Sequence, residues 1–385
     1  MSGIYIHIPF CVRKCAYCDF LSFENGEDCF VAYTEAVINE LRYVNFSTAE
    51  GLLRLRGDIP TKPLMFCESK TSTKSGKKGE ALISTIYIGG GTPTVLPPAL
   101  LCQILSAAQE KPLAEDVEIT VETNPCTVDL SYLKQLKAAG ANRLSIGVQT
   151  THAHLLRKIG RIHTPEDAEK CFRYARQAGF ANINIDLMLG LPDQTAAEWR
   201  ETLEAAIALS PEHISAYSLT LERDLGWALP DDETERGMYH TARELLAKAG
   251  YRHYEISNFA KNGKESRHNC DCWTMKPYIG VGAGAHSFDG AARWHNTADL
   301  GEYLRGAARA PERLSYTELT ERDLLSEKII LGLRLLDGVC EGELVAFGAE
   351  TEKLVGDGLL ERREGRVCLT DRGMDLANLV FLEYL

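Results

Sequence analysis

Cys11, Cys15 and Cys18 stand in the run IYIHIPFCVRKCAYCDF with CxxxCxxC spacing. A closed structural zinc site takes four ligands, whereas a 4Fe-4S cube held by three thiolates leaves one iron open to a ligand that takes part in chemistry. The triad is therefore read as the metal-ligand set of such a cluster, with a three-cysteine zinc knuckle as the competing reading. Gly3 to Ile8 alternates as a short strand, Pro9 ends it, and the cysteines follow on a loop whose backbone N–H groups are free to bond sulfur.

The elements that must position this loop follow from the hydrophobic pattern. From residue 3 to about 222, short β-type runs alternate with longer helical patterns, the signature of βα units around a parallel sheet. Strands are expected at Gly3–Ile8, Thr85–Ile88, Val117–Val121, Arg143–Val148, Asn182–Ile185 and His213–Ser218. Helices are expected at Phe30–Val44, Pro98–Ala108, Leu130–Ala139, Pro165–Ala178 and Thr195–Leu209. Six units suit an α/β fold built as an open partial (βα)6 barrel. The working end of such a sheet is the C-terminal end of its strands. There the pattern places the cysteines, then Gly89-Gly90-Gly91-Thr92-Pro93, Glu122, Gln149, Asp186, and Tyr217 with Ser218. The glycine run lacks the helix-entry and P-loop spacings for phosphate and suits close backbone approach to a ligand instead.

Residues 1–225 are read as the partial barrel, with a polar insertion at 45–82 that breaks the rhythm. Residues 226–310 are read as a linker with a helix at Thr234–Ala249, a strand at Arg252–Ile256 and an otherwise irregular run up to a helix near Asp299–Ala307. Residues 311–385 form a C-terminal α+β region. Its helices at Glu321–Leu335, Glu341–Phe347 and Glu350–Gly356, followed by a hairpin at Leu359–Glu361 and Val367–Leu369, resemble a winged helix.

Composition excludes several classes. Over 385 residues, 45% hydrophobic and 25% charged, no apolar run reaches the roughly 18 residues needed to span a bilayer, so no integral membrane protein is expected. The start of the chain lacks the basic and apolar regions of a secretory signal. Twelve cysteines without a framework pattern point to a reducing compartment, and the cytoplasm is expected. A net charge of -12 argues against a nucleic-acid surface. The basic stretch Lys70–Lys78 reads as a solvated loop, and the cysteines outside the triad and Cys270-Asp271-Cys272 lack ligand spacing.

The triad with its flanks, HIPFCxxxCxYC, resembles the radical S-adenosylmethionine (SAM) superfamily, and within it the oxygen-independent coproporphyrinogen III oxidase branch. The resemblance implies a 4Fe-4S cluster whose open iron is chelated by SAM, which an electron from the cluster cleaves to methionine and a deoxyadenosyl radical. It also implies cofactor-binding roles for Tyr5, Tyr17 (beside the adenine), Gly90, Gly91, Thr92, Glu122, Gln149, Arg161 and Asp186. Two departures from the true oxidases match the HemW-type heme chaperone group. Phe20 stands where those enzymes have a fourth cysteine, and only ten residues precede Cys11. That group carries an HNxxYW signature. Here it reads His268-Asn269-Cys270-Asp271-Cys272-Trp273, with Cys272 in place of the tyrosine. The resemblance makes His268 a candidate axial ligand for heme iron and Trp273 a stacking partner, with Cys270 or Cys272 as thiolate alternatives and His286 as a further candidate. The expected function is a heme chaperone that passes heme to acceptor hemoproteins, some reached by transient contact with a membrane. The alternatives are oxidative decarboxylation of coproporphyrinogen III and another radical SAM reaction on a tetrapyrrole.

Overall fold

The computed structural model describes residues 3–44, 82–306 and 313–385. The insertion expected at 45–82 lies, but for Leu82, outside the described residues, as do the Lys70–Lys78 stretch and Cys67.

Six parallel strands form the heart of a mixed sheet: β1 (Gly3–Ile8), β2 (Ile83–Gly90), β3 (Leu113–Thr123), β4 (Arg143–Gln149), β5 (Ile183–Leu189) and β6 (His213–Ser218). Their two faces differ in kind. Ile4, Ile6 and Ile8, then Ile86 and Ile88, Ile119 and Val121, Leu144 and Ile146, Ile183 and Ile185, and Ile214 point outward and are at most 2% exposed beneath the helices. Burying each such side chain is worth roughly 1.5–3 kcal/mol, which fixes the register because a one-residue slip would expose the whole row. The alternate residues are polar: Tyr5 and His7, Thr85 and Tyr87, Glu118, Thr120 and Glu122, Arg143 and Ser145, Asn184 and Asp186, His213, Ser215 and Tyr217. Hydrophobic-out, polar-in alternation is the pattern of a sheet curved around a ligand rather than around a core.

The covering helices begin where their sequences carry start signals. Thr164 and Thr195 cap helices Pro165–Gln177 and Ala196–Leu209 with reciprocal capping boxes, to Asp167 and Glu198. Thr195 is thus the cap of the helix expected to start there.

Beyond residue 250 the chain adds β7 (Arg252–Glu255), β8 (Asn258–Ala260), β9 (Tyr278–Val281), β10 (His286–Phe288), β11 (Ala292–Asn296) and β12 (Arg313–Glu318) to the same twelve-stranded sheet. Its order is β12-β11-β10-β9-β1-β2-β3-β4-β5-β6-β8-β7, and the ends do not pair among the described residues, so the sheet is open. The irregular stretch expected between the strand at 252 and the helix near 299 is therefore corrected. It holds strands of three to five residues and helix Arg267–Trp273, elements too short to show a period. Strand β9 runs parallel to β1, and the buried carboxylate of Glu40 locks that edge, accepting from Gly282 N (2.9 Å), Asn296 Nδ2 (2.7 Å) and Tyr303 OH (2.6 Å).

The C-terminal residues form a separate core around Ile329, Leu344, Phe347, Leu354, Leu360, Val367 and Val380. A three-stranded sheet, β13 (Val339–Cys340), β15 (Arg366–Leu369) and β14 (Leu360–Arg363), gives it the hairpin of a winged helix. The helix expected at Glu341–Phe347 is present over those residues and is of the 3-10 type. Gly342 in its first turn disfavours α-helical propagation over so short a run.

Candidate cofactor site

The cysteines sit where β1 ends, on a loop tied down at both ends. Cys11 N donates to Phe23 O (3.0 Å), Phe23 N to Pro9 O (2.8 Å), and Ala16 N to Ile159 O (3.2 Å). His7 steadies it from below. Its Nε2 bonds the carbonyl of Leu21 (2.9 Å), which can only accept, so the proton is on Nε2 and Nδ1 accepts from Tyr5 OH (2.9 Å). The histidine thus ties the loop, through the Leu21 carbonyl, to β1.

The glycine run meets the loop edge to edge. Gly91 N donates to Ile8 O (2.9 Å) and Thr92 N to Phe10 O (2.7 Å), while the Thr92 hydroxyl lies 3.5 Å from Cys11 Sγ. A Cβ on Gly91 would fall 2.7 Å from Phe10 O and 3.1 Å from Cys11 Sγ. Gly90 has φ +111°, and its N–H donates to Glu122 Oε2 (3.2 Å).

Three polar positions close the far side. Arg161 donates Nη1 to Cys15 Sγ (3.8 Å) and Nη2 to Asn124 Oδ1 (2.7 Å) and to Gly147 O, while its buried Nε has no partner. Asn124 Nδ2 donates to Thr92 Oγ1 (2.8 Å), so one circuit runs Cys11, Thr92, Asn124, Arg161, Cys15. Thr92, Asn124, Arg161 and Cys15 line one pocket with Gly160 and His163. Asn124 was not singled out in the sequence, although it stands two residues past Glu122 in VETNP.

Glu122 is held by Tyr87 OH on Oε1 (2.7 Å) and Gly90 N on Oε2. Burial pushes its pKa up to about 7, opposed by the hydrogen bond from Tyr87. Asp186 accepts from Ser145 Oγ and Asn184 Nδ2, each at 2.8 Å. It lies three residues before the end of β5 and not after it, because the apolar run LML continues the strand. Gln149 ends β4 in the left-handed region, φ +67°, beside a register shift. Tyr17 packs against Leu155, Ile159, Met188, Leu191 and Leu219. Tyr5 sits one layer below the cysteines, stacked on Tyr87 at 6.2 Å.

The heme candidates lie elsewhere. His268 is buried near the start of β2, with Nδ1 2.9 Å from Thr85 Oγ1 and its ring stacked on Tyr87 at 5.1 Å. Burial pushes its pKa down to about 4, so it is neutral at pH 7. Trp273, at the other end of the same helix, has the Arg334 guanidinium 4.3 Å from its ring centroid, and its indole N–H is unpartnered. Burial pushes the Cys270 and Cys272 thiols up to about 12. His286 is exposed on β10 opposite His295. The structure gathers the triad, Thr92, Glu122, Arg161, Gln149 and Asp186 at one end of the sheet and sets His268 beneath them.

The residues present fit a cluster and an amino-acid-bearing ligand. The three thiols share one loop and are partly buried, and Thr92 Oγ1 and Arg161 Nη1 approach the sulfurs of Cys11 and Cys15. The Gly91 cradle, the free Nε of Arg161 and the buried carboxyl of Glu122 leave a backbone surface, a cation and an anion without full partners. Deeper in, Arg143 is 2% exposed with an unpartnered Nε.

Glu122 carries a pH prediction. A carboxyl whose folded pKa is raised contributes its stability below the unfolded value near 4.5 and loses it as pH rises through about 7. Ligand-free Glu122→Gln is therefore expected to gain melting temperature over the parent at pH 8 and to show little gain at pH 4.5. A pH-independent difference between the two melting curves would count against this.

Two family models match the chain: the radical SAM superfamily over residues 74–206 and the HemN C-terminal domain over 319–376. The heme chaperone HemW of Bacillus subtilis is 34% identical, the alignment covering 100% of this chain and 99% of that protein. The HemW of Lactococcus lactis is 33% identical over 100% and 97% of the two chains, and that of Escherichia coli 37% over 74% and 69%. Among solved structures, coproporphyrinogen III oxidase HemN from Escherichia coli, a radical SAM enzyme, superposes with a TM-score of 0.80 at 22% identity, over 100% of this chain and 90% of that one, a likeness of fold. No helix of the described residues is long and apolar enough to cross a membrane. On its full-length likeness to these relatives, the chain belongs to the HemW family of radical SAM proteins.

Proposed function

We propose that this chain is a heme chaperone that binds heme and hands it to acceptor hemoproteins in the cytoplasm, carrying a 4Fe-4S cluster on Cys11, Cys15 and Cys18 with exchangeable SAM. The observation that carries this reading is the full-length likeness to heme chaperones of the HemW family. Bound at the open iron, SAM would supply one-electron chemistry or a regulatory ligand. The chain's own residues bind and orient it. Glu122, held by Tyr87 OH and Gly90 N, would take a cationic amino group; the glycine run would let backbone approach; Asp186 and Gln149 would take hydroxyls; Arg161, which donates to Cys15, would take a carboxylate. Tyr17 supplies an apolar wall for the adenine. The acceptors include membrane-bound hemoproteins met by transient contact. Of the heme candidates, His268 is in the neutral form that an iron ligand requires, with Nδ1 beside Thr85 Oγ1, and Trp273 stands at the other end of the same helix under the Arg334 guanidinium.

The test is an anaerobic hemin titration of the cluster-loaded protein, following the Soret band after gel filtration, beside His268→Ala and Trp273→Ala. Near-stoichiometric heme in the parent, with at least a tenfold loss of affinity in His268→Ala, is expected. A parent that retains no heme overturns the chaperone reading, and carbon dioxide release from coproporphyrinogen III under SAM and reductant would replace it with the oxidase. Retention by all three proteins overturns only the placement of the ligand.

A further inference from the structure

We propose that His152, His154 and Glu198 form a binding site for one divalent transition-metal ion of the zinc class, on the rim of the sheet and separate from the cysteine site. The sequence offers no metal motif here beyond an HxH in THAHLL, and the third ligand comes from 44 residues further on. His152 caps helix Ala153–Lys158 after β4, and Glu198 lies in the first turn of Ala196–Leu209 after β5. Adjacent strands thus bring the two segments side by side.

The three donor atoms lie within 4.8 Å of one another, the only such group of three His, Cys, Asp or Glu residues among the described residues. His154 Nε2 is 3.2 Å from Glu198 Oε1, and His152 Nδ1 is 4.0 Å from the same oxygen. Ligands of a tetrahedral zinc with bonds of 2.0–2.1 Å stand about 3.3 Å apart, so one pair is already in place and the other needs a small ring rotation.

Two of the ligands are oriented by their other ends. His152 Nε2 lies 3.1 Å from the carbonyl oxygen of Glu198, which can only accept; the proton is therefore on Nε2, and the Nδ1 lone pair is left for an ion. Glu198 Oε2 accepts from Thr195 N (2.9 Å) and Thr195 Oγ1 (2.8 Å), which leaves Oε1 to coordinate. A second hydrogen bond that fixes tautomer or orientation is the usual support of a metal ligand. Two imidazoles and one carboxylate select zinc-class ions over calcium or magnesium, which want oxygen. The His154 side chain is 51% exposed, so the remaining coordination positions face water, and the Glu201 carboxylate, 3.5 Å from His152 Nε2, adds negative charge at the rim. A bound ion would clip together the segments that follow β4 and β5, the first of which begins directly after Gln149.

The experiment is calorimetric titration of zinc chloride into chelator-treated, cluster-loaded full-length protein, so that the triad is already occupied. One equivalent binding to the parent, weakened at least tenfold by His154→Ala and by Glu198→Gln, is expected. So is a zinc-dependent rise in melting temperature that His154→Ala loses. Glu198→Gln keeps an acceptor for Thr195, and His154 is half-exposed, so ion-free melting curves close to the parent's certify both folds. Isotherms and melting shifts that the two variants share with the parent would overturn the site, and the cysteine cluster and the heme reading would stand untouched.

Discussion

Replacing any one of Cys11, Cys15 or Cys18 by alanine is expected to bring reconstituted iron from about four per chain to below one, with loss of the cluster's visible absorbance. The loop is prefolded by Cys11 N to Phe23 O and Ala16 N to Ile159 O, so the loss would reflect missing ligands and not a collapsed scaffold. Two thiolates cannot hold a cube whose third corner has only the hydroxyl of Thr92 or the Arg161 guanidinium to meet it. Burial raises the Cys11 and Cys18 pKa values, so metal binding there must release protons, and reconstitution should speed up with pH. Cys340→Ala, which removes an exposed thiol on β13, should keep the parent's iron content and spectrum. A triad variant that reconstitutes about four irons with the parent's spectrum would sink the assignment.

Gly91→Ala is expected to cost about 1–3 kcal/mol of stability and to weaken SAM binding at least tenfold. The added methyl would sit 2.7 Å from the Phe10 carbonyl oxygen and 3.0 Å from its nitrogen, backbone atoms with little freedom to yield. Gly91 N is bonded to Ile8 O and Thr92 N to Phe10 O, so relief can come only by parting the glycine run from the cysteine loop. That movement carries Cys11 Sγ away from Thr92 and opens the circuit to Asn124 and Arg161. Gly237→Ala is the contrast. It lies inside helix Asp232–Lys248 with nothing within 4 Å of its Cβ position, and it should stabilise by about 0.5–1 kcal/mol. Denaturant melts and SAM titration of the two variants decide the matter; equal behaviour would mean that the close approach at Gly91 has no functional weight.

The site shows why some residues were legible and others were not. Glu122 and Gln149 stand in runs whose strand-then-polar pattern marks the end of a strand, whereas Arg161 follows helix Ala153–Lys158 and only the family resemblance pointed to it. Asn124 belongs to the same run as Glu122 but reads as an ordinary turn residue before Pro125, and only its bonds to Thr92 and Arg161 reveal it. His268 stands out in the sequence, yet its surroundings, Thr85, Tyr87 and the start of β2, could not be read from it.

The sequence by itself determined what is periodic or local. Alternating Ile, Val and Leu set the faces of β1 to β6, Thr164 and Thr195 start their helices, and CxxxCxxC sets the ligand spacing. These depend on backbone period and on contacts a few residues apart, which any reading of the chain can reach. Tertiary structure alone decided the partners. Cys11 meets Thr92 across 81 positions because the parallel register of β1 and β2 sets their ends level, and Cys15 meets Arg161 across 146 because the turn after helix Ala153–Lys158 is tied to the cysteine loop by Ala16 N to Ile159 O. Strand order likewise adds β9 beyond β1 in parallel and β10 to β12 beyond it in antiparallel, and it brings His152 and His154 against Glu198, pairings that depend on which strands are neighbours, a property no local run of residues encodes.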